Sequence, residues 1–294
     1  MPSADLFSPV GVIGLGLIGG SMVKAIRLSK NCRIYASDLS ETVMQSAAAD
    51  GSIDGVLDSA ALASCRLLLL GLYPQAAVET MRAAAKMLPR GGVVVDLCGV
   101  KRAVSGPLAE IAAENGLYYV GGHPMAGMEH SGYAHSRADL FLGASMILTP
   151  TPGTPQPLLE ALETFFLSLD FDRVCFSTPE QHDRVIALTS QLAHVISCAY
   201  IGSPTAMEFS GFSAGSFRDM TRVARLNETM WTELFFENAD YLAEEIDGMA
   251  RRLGDFAACL QKQDQQAMFS LLHNSRLRKE KTDAMCSPAK GETP

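Results

Sequence analysis

The segment GGHPMAGMEHSG, residues 121–132, holds a histidine between a glycine pair and a proline. Five of its twelve residues are glycine or proline, which indicates that it continues neither a strand nor a helix. Pro124 biases His123 towards an extended backbone, so the ring is expected to be aimed rather than mobile. A neutral imidazole suits general-base chemistry, such as taking the proton of an alcohol while hydride leaves the same carbon. The alternative is a buried histidine bonded to a backbone carbonyl.

A second chemical signal is the glycine spacing G-x-G-x-x-G in the stretch GLGLIGGS. It follows an apolar, strand-like run and opens a helical stretch. Such glycines let the backbone come close to a pyrophosphate, and the helix supplies free N–H groups at its amino end. The alternative is a glycine-rich turn without a ligand. The residues predicted to bind the cofactor at this turn are Gly14, Gly16, Leu17, Ile18 and Gly19.

Asp38, which follows the next predicted strand, indicates which dinucleotide is bound. A carboxylate accepts hydrogen bonds from the ribose hydroxyls and repels a 2′-phosphate. The next three residues, Leu-Ser-Glu, offer no cation to neutralise that phosphate. The sequence therefore favours NAD over NADP. An N-cap of the following helix is the alternative role for Asp38.

The second half of the chain holds two further pairs of polar residues at helical spacing. Ser190 and His194 share one face of a predicted helix, as a core contact or as a wall of the site. Arg218 and Arg222 are also four residues apart, and arginine binds carboxylates with two parallel hydrogen bonds. A solvent-facing salt bridge with Asp219 would suit Arg218 better than Arg222. The residues alone thus indicate an NAD-linked dehydrogenase of a small acidic hydroxy compound.

Short apolar runs alternate with helical segments in the first half of the chain, which predicts a parallel sheet covered on both faces. The fold class is therefore α/β, with a doubly wound sheet of the Rossmann type. Four prolines within residues 149–157 predict a domain boundary near residue 150. We expect an NAD-binding domain over 1–150 and a mostly helical, substrate-binding domain over 151–294. The predicted strands lie near residues 10–14, 33–37, 67–70, 93–95, 117–120, 146–148 and 173–176.

The predicted helices of the second half are long. One is expected over residues 179–200 and another over 226–260, the latter with a possible break at Gly248 or Gly254. Long helices with apolar faces usually pack against something large. The expected partner is a second copy of the chain, in a homodimer formed through the C-terminal helices.

Composition excludes several classes of protein. Of the 294 residues, 48% are hydrophobic and 19% charged, as in a folded globular protein. The net charge of −8, without a long basic run, argues against nucleic-acid binding. We found no apolar stretch near the roughly 20 residues of a membrane span and no signal peptide. The seven cysteines include no C-x-x-C pair, so disulfides and a zinc site are not expected, and the cytoplasm is the expected compartment.

With these motifs in view, the chain resembles the prephenate/arogenate dehydrogenase family from residue 10 to about residue 281. The resemblance rests on the two glycine-containing motifs above, on FRDMTRVA at 217–224 and on Met230-Trp231. It implies a Rossmann domain, a helical dimerisation domain and oxidative decarboxylation of prephenate to 4-hydroxyphenylpyruvate with reduction of NAD, a step of tyrosine biosynthesis. Arogenate is the alternative substrate.

The resemblance also implies roles for individual residues. His123 matches the histidine that bonds the ring C4 hydroxyl and accepts its proton, and Arg222 matches the arginine that holds a substrate carboxylate. His194 matches a histidine lining the substrate and nicotinamide pocket, where we expect it to assist catalysis. Ser190 is its neighbour one turn earlier, and Glu129 matches an acidic residue at the mouth of the site.

Three positions depart from the family pattern. Gly99 stands where many members carry a serine that bonds the catalytic histidine, and Gln191 and Ala193 replace a histidine and a proline.

Two other functions stay open. A dehydrogenase of another β-hydroxy acid would typically use a lysine of the helical domain, and the helix at 179–200 contains none. A non-catalytic relative that senses NAD is the last alternative.

Overall fold

The computed structural model describes residues 6–29, 32–208, 211–212 and 215–286. Its centre is one sheet of eight strands in the order β3-β2-β1-β4-β5-β6-β7-β8. Strands β6 and β7 pair antiparallel, and the other neighbours are parallel. The strands are β1 Val10–Ile13, β2 Ile34–Ser37, β3 Gly55–Val56, β4 Leu67–Leu70, β5 Val93–Asp96, β6 Tyr118–Pro124, β7 Ser145–Pro150 and β8 Arg173–Phe176.

Helices cover both faces of this sheet, as predicted for a doubly wound α/β fold. The helices that follow the strands are α1 Leu17–Ser29, α2 Glu41–Ala49, α3 Ser59–Leu62, α4 Pro74–Ala84, α5 Arg102–Glu114 and α6 Gln156–Leu167. Strand β4 shows why its sequence is a continuous apolar run. Leu67 and Leu69 belong to the hydrophobic cluster that includes α1 and α6, and Leu68 and Leu70 belong to the cluster that includes α4 and α5. Successive side chains point to opposite faces, so both faces of the strand are buried.

The sheet continues past residue 150. Strand β7 ends at Pro150, helix α6 crosses over, and β8 then pairs parallel with β7. The strand predicted near residues 173–176 is thereby confirmed. The prolines between β7 and α6 serve as the connection within this crossover. A division into domains at residue 150 stays a prediction.

The helix predicted over 179–200 is present and contains one π-helical turn in its middle. Helix α7, Pro179–Ile186, passes through a π-helical turn, Ala187–Gln191, into α8, Leu192–Ile201. It is followed by α9 Gly215–Thr221, α10 Glu228–Phe236, α11 Ala239–Lys262 and α12 Gln265–Cys286. Arg222 begins a 3-10 turn directly after α9, so Arg218 and Arg222 do not share one continuous α-helix as expected.

The single helix predicted over 226–260 is wrong. The break falls at Glu237 and Asn238, between α10 and α11, and α11 runs through both Gly248 and Gly254. A glycine costs a helix only about 1 kcal/mol and need not end it. Asn238, in contrast, is fully buried, and its side chain bonds Arg102, Gln191 and the carbonyl of Asp183. These tertiary hydrogen bonds hold the chain at the break.

Residues 6–242 form one compact unit, and the described part of 243–294 forms another. The second unit contains most of α11 and helix α12. Both helices expose large apolar side chains, among them Leu253, Leu260, Phe269 and Leu272.

Within the described ranges, Pro179–Ile201 is the one helical stretch long and apolar enough to cross a membrane. Its length exceeds what we expected of any apolar run in this chain. It carries His182, Asp183 and Gln191, all three buried and hydrogen bonded to other parts of the protein. These contacts tie one face of the stretch to the rest of the protein, while Val185, Leu188 and Tyr200 are exposed.

Candidate active site

His123 lies at the carboxyl end of strand β6, where strand continuation was not expected. The strand includes Gly121, Gly122 and Pro124, and it pairs with β7 up to Met146. The glycines are required by close packing within the sheet. A Cβ at Gly122 would lie 2.6 Å from the carbonyl oxygen of Asp96. The prediction that the motif continues no strand was therefore wrong for residues 121–124, whose glycines admit neighbouring backbone instead of forming a turn, and was confirmed for residues 125–132.

The imidazole of His123 is half-buried and bonded to a second histidine. Its Nδ1 lies 2.8 Å from Nε2 of His182, and Nδ1 of His182 lies 2.7 Å from Oδ1 of Asp183. His182 and Asp183 are buried, with 2% and 0% of their surface exposed. Three ionisable side chains thus form one chain of hydrogen bonds, of which His123 is the accessible end.

Helix α5 anchors the carboxylate at the far end of this chain. The backbone N–H groups of Lys101 and Arg102 donate to Asp183 over 2.8 and 2.9 Å at the amino end of that helix. Burial alone would raise the pKa of Asp183, but the hydrogen bonds from His182 and from these two N–H groups outweigh it and lower the pKa. Asp183 is therefore an anion at neutral pH.

Both histidines of this hydrogen-bonded series, His123 and His182, are uncharged at neutral pH. Burial, followed by the nearby His182 and Lys101, holds the pKa of His123 well below its ordinary value. Burial also lowers the pKa of His182, although the hydrogen bond to Asp183 opposes the shift. An uncharged His123 is the form that can accept a proton.

Lys101 is occupied elsewhere. Its ammonium group is fully buried, pairs with Asp96 and donates to the carbonyl of Gly122 over 2.7 Å. Tyr119 donates to the other oxygen of Asp96 over 2.7 Å. This buried cluster ties the ends of β5 and β6 together and so supports the strand that carries His123.

The glycine-rich turn has the geometry of a phosphate-binding site. Gly14 adopts φ +86°, and a Cβ there would lie 2.5 Å from the carbonyl oxygen of Gly71. A Cβ at Gly19 would overlap the carbonyl oxygen of Gly14. At Gly16, apart from the adjacent residues in the chain, no atom of the described residues lies within 4 Å of the Cβ position, so this side of the turn is open to a ligand. Leu17 and Ile18 form the first turn of α1, whose free N–H groups attract an anion.

Asp38 follows β2 and is half-buried beside this turn. Its Oδ2 accepts from the N–H of Leu15 over 2.7 Å, and its Oδ1 accepts from the N–H of Ser40 over 2.8 Å. The N-cap of α2 is Ser40, whose hydroxyl accepts from the N–H of Val43. The alternative role of Asp38 as that N-cap is therefore wrong.

The residues predicted for the substrate side form two contacts. Nδ1 of His194 lies 2.9 Å from the carbonyl oxygen of Ser190, and the ring packs against Trp231 at a tilt of 31°, with centroids 3.8 Å apart. Nη1 of Arg222 lies 3.2 Å from Oε1 of Glu129, and both side chains are partly exposed. Burial lowers the pKa of His194, and the positive charge of Arg222 lowers it further against the opposing bond to Ser190.

Helix α10 stands next to both parts of the site. Trp231 contacts His194, and one turn later Leu234 packs beside Gly99. A Cβ at Gly99 would lie 3.5 Å from Leu234 and 3.9 Å from Nε2 of His123. Position 99, where the family resemblance implies a serine, thus faces the outer nitrogen of His123, and its glycine offers that nitrogen no side-chain partner.

The sequence did not single out His182 or Asp183. Polar residues are common in the first two turns of a helix that starts with proline, so the pair indicated only a helix near its start. The signal that could have found them is polarity on the apolar face of α7. Gln191, another of the three departures, is buried as well, donating to the carbonyl of Leu234 over 2.8 Å and accepting from Asn238.

Comparison with known proteins gives a consistent result. The family model for the prephenate dehydrogenase nucleotide-binding domain matches residues 23–172, and that for the prephenate dehydrogenase dimerization domain matches residues 178–274. The cyclohexadienyl dehydrogenase of Zymomonas mobilis is 31% identical over 268 residues, which are 88% of this chain and 90% of that protein. The prephenate dehydrogenase of Bacillus subtilis is 28% identical over 265 residues, 87% of this chain and 71% of that protein.

A solved structure shares the fold over nearly the whole chain. The prephenate dehydrogenase from Aquifex aeolicus, in complex with hydroxyphenyl propionate and NAD+, aligns with a TM-score of 0.80 and 27% identity over 93% of this chain and 97% of that one. The predicted NAD cofactor, the α/β fold and the helical C-terminal part agree with these matches. The chain belongs to the prephenate dehydrogenase family of oxidoreductases.

Proposed function

We propose that this protein is an NAD-dependent prephenate dehydrogenase, which converts prephenate to 4-hydroxyphenylpyruvate and carbon dioxide in tyrosine biosynthesis. The observation that carries the proposal is the neutral, half-buried imidazole of His123 at the edge of the sheet that also holds the glycine-rich turn. Strands β1, β4, β5 and β6 are parallel neighbours, so their carboxyl ends share one edge. Ligands bind at that edge in open α/β sheets.

The distance across the sheet suits a dinucleotide. Three strand spacings separate β1 from β6, or roughly 14 Å at about 4.8 Å each. A pyrophosphate at the open side of Gly16 and a ribose at Asp38 would occupy the β1 end. His123 lies at the β6 end. NAD supplies the hydride acceptor when bound.

The remaining chemistry falls to the side chains. His123 accepts the proton of the ring C4 hydroxyl as hydride leaves the same carbon. The resulting dienone loses its ring carboxylate as carbon dioxide and becomes aromatic, which requires little further assistance. The main contributions of the protein are orientation and removal of this one proton.

Arg222 is the proposed anchor for a substrate carboxylate. Its guanidinium group is more than half exposed and opposite Glu129, so a carboxylate can approach it. His194, held by Ser190 and packed against Trp231, would line the same pocket as a neutral hydrogen-bonding group that assists catalysis.

Arogenate dehydrogenase is the second candidate function. Arogenate carries an ammonium group next to its side-chain carboxylate. The pairing of Arg222 with Glu129 presents a cation beside an anion, which complements both groups of an amino acid. For prephenate, whose side chain is a keto acid, Glu129 has no cation to bind.

A lysine-based dehydrogenase of another β-hydroxy acid fits this site less well. Lys101 lies beside β6 but is fully buried and paired with Asp96, so it is not available to a substrate. The partly exposed base on β6 is His123.

The test is a side-by-side assay. Purified protein with NAD is given prephenate or arogenate, and absorbance of the reduced cofactor is followed. We expect reduction with prephenate at the higher kcat/KM. A preference for arogenate would support the second candidate, and no reduction with either substrate would support the non-catalytic alternative.

A homodimer and a cytoplasmic location are part of the same proposal. The dimerization-domain match and the exposed apolar side chains of α11 and α12 support the homodimer. Cys65, Cys98, Cys175, Cys198 and Cys259 are free thiols, as in a reducing compartment. Light scattering after size exclusion would test the dimer, since a mass of 31.5 kDa for the particle would contradict it.

A further inference from the structure

We propose that His182 and Asp183 are positioning residues that hold His123 in one tautomer, with its proton on Nδ1 and its lone pair on Nε2. Nε2 is then the atom that takes the substrate proton. This inference rests on the proposed function, because it specifies how the base of that reaction is prepared.

The assignment starts at the carboxylate. Asp183 accepts from two backbone N–H groups and is ionised, so it offers only lone pairs to its neighbours. Nδ1 of His182 lies 2.7 Å from Oδ1 of Asp183. A lone pair on that nitrogen would face another lone pair at this distance, so Nδ1 must carry the proton.

The second step follows from neutrality. A neutral imidazole holds one proton, and since His182 has it on Nδ1, its Nε2 is an acceptor. Nδ1 of His123 lies 2.8 Å from that acceptor and must donate to it. His123 is also neutral, so its single proton is now placed and Nε2 is left with a lone pair.

The free nitrogen lies towards Gly99. Nε2 of His123 is 3.9 Å from the Cβ position of Gly99, where a glycine offers no hydroxyl. The side-chain hydrogen bond that orients the His123 ring is therefore the one between its Nδ1 and His182. The departure from the family pattern at residue 99 makes the bond to His182 more important in this chain.

The same chain of hydrogen bonds supports the charge that forms in the reaction. The bond between the substrate oxygen and hydrogen breaks, a bond between that proton and Nε2 forms, and His123 becomes an imidazolium. Its Nδ1–H bond to His182 then has a charged donor and strengthens. Asp183 lies beyond that ring as an anion, while Lys101, which opposes the new charge, is itself neutralised by Asp96.

Nuclear magnetic resonance tests the tautomers without any assay of activity. Long-range proton–nitrogen correlation spectra distinguish the two neutral forms, and the chain has only six histidines to assign. Spectra of His123→Gln and His182→Gln identify the two signals. We expect both rings to be protonated on Nδ1 in the protein without ligands. Protonation of either ring on Nε2 in the neutral state would overturn the proposal.

Kinetics of two variants test the positioning role. His182→Leu removes the acceptor for His123, and we expect kcat to fall by about 10-fold or more with KM changed much less. His182→Gln offers an oxygen near the position of Nε2 and should retain most of the activity. We also expect the low-pH limb of the kcat/KM profile to shift in the leucine variant. An unchanged profile and kcat, or a loss confined to KM, would contradict the role.

Tyr119→Phe is the matched control. It deletes a buried hydrogen bond on the same strand that does not reach His123. The free energy of unfolding of this variant should fall, while kcat and the pH profile stay the same. If its pH profile shifts like that of His182→Leu, the shift reflects a general structural change, and the positioning role of His182 is overturned. If the wild-type protein shows both rings protonated on Nδ1 but oxidises neither substrate, the tautomer assignment is supported and the proposed function fails.

Discussion

Arg222 and Glu129 form an ion pair, Nη1 to Oε1 over 3.2 Å, between the 3-10 turn after α9 and the segment after β6. The pair is exposed and so contributes little to folding. Its proposed role is in ligand binding, because it presents a cation beside an anion. We expect Glu129→Gln to lower kcat/KM for arogenate by about 10-fold while changing that for prephenate much less. Equal changes for both substrates would contradict a role for Glu129 in binding the ammonium group.

Arg222→Ala should affect substrate binding more than turnover. Loss of the guanidinium group removes a charged hydrogen-bond donor from the proposed carboxylate anchor, so KM should rise about 10-fold or more. Arg218→Ala, one turn away in α9, is the control, with KM close to that of the wild type. A normal KM in Arg222→Ala would place the anchor elsewhere.

His123→Asn should lower kcat by about 100-fold or more, because no base is left for the hydroxyl proton. Binding of NAD, measured by quenching of intrinsic fluorescence, should stay the same. In the wild type, kcat/KM should rise with pH through the pKa of His123, since only the neutral ring accepts a proton. Burial lowers that pKa, so the limb should lie below about 6.5, the ordinary pKa of histidine. A limb above that value would contradict the environment described for the ring.

Asp38→Asn should weaken the selection of NAD over NADP. The change removes the negative charge that repels a 2′-phosphate and keeps an acceptor for the N–H of Leu15. The ratio of kcat/KM for the two cofactors should fall by about 10-fold, which corresponds to ~1.4 kcal/mol. Glu41→Gln, a nearby exposed carboxylate, is the control and should leave the ratio unchanged. Selectivity that survives in Asp38→Asn would show that another residue reads the ribose.

Gly99→Ser should fold normally and move the pH profile. Its Cβ would make only ordinary contacts, 3.5 Å to Leu234, so the free energy of unfolding should change by less than about 1 kcal/mol. A hydroxyl that donates to Nε2 of His123 stabilises the neutral ring and lowers its pKa, so the limb of kcat/KM should move to lower pH. Gly99→Ala, which lacks the hydroxyl, should show no such shift. Identical profiles for the two variants would place the hydroxyl out of reach.

Much of the fold and part of the candidate site could be predicted from local features of the sequence. Continuous apolar runs such as Leu67–Leu70 predict strands of a parallel sheet, because only burial on both faces makes such a run stable. The glycine spacing predicts the nucleotide turn, since Gly14 and Gly19 occupy positions where a Cβ would overlap backbone. His123 could be singled out because its frame of glycine and proline is unusual.

Other features depended on contacts between distant segments. The glycines before His123 belong to a strand, which only the packing of β6 against the carbonyl of Asp96 reveals. The break between α10 and α11 occurs at Asn238, whose hydrogen bonds reach residues more than 40 positions away. No local pattern encodes such pairings.

The chemical state of the candidate base shows the same division. The amino-acid sequence determined that a histidine would stand at the carboxyl edge of the nucleotide-binding sheet. Tertiary structure decided that His182, 59 residues further along the chain, bonds its Nδ1 and that Asp183 fixes the proton order. Hydrogen bonding and desolvation depend on distance in space, so the protonation of an imidazole is a property of the fold rather than of its neighbours in sequence.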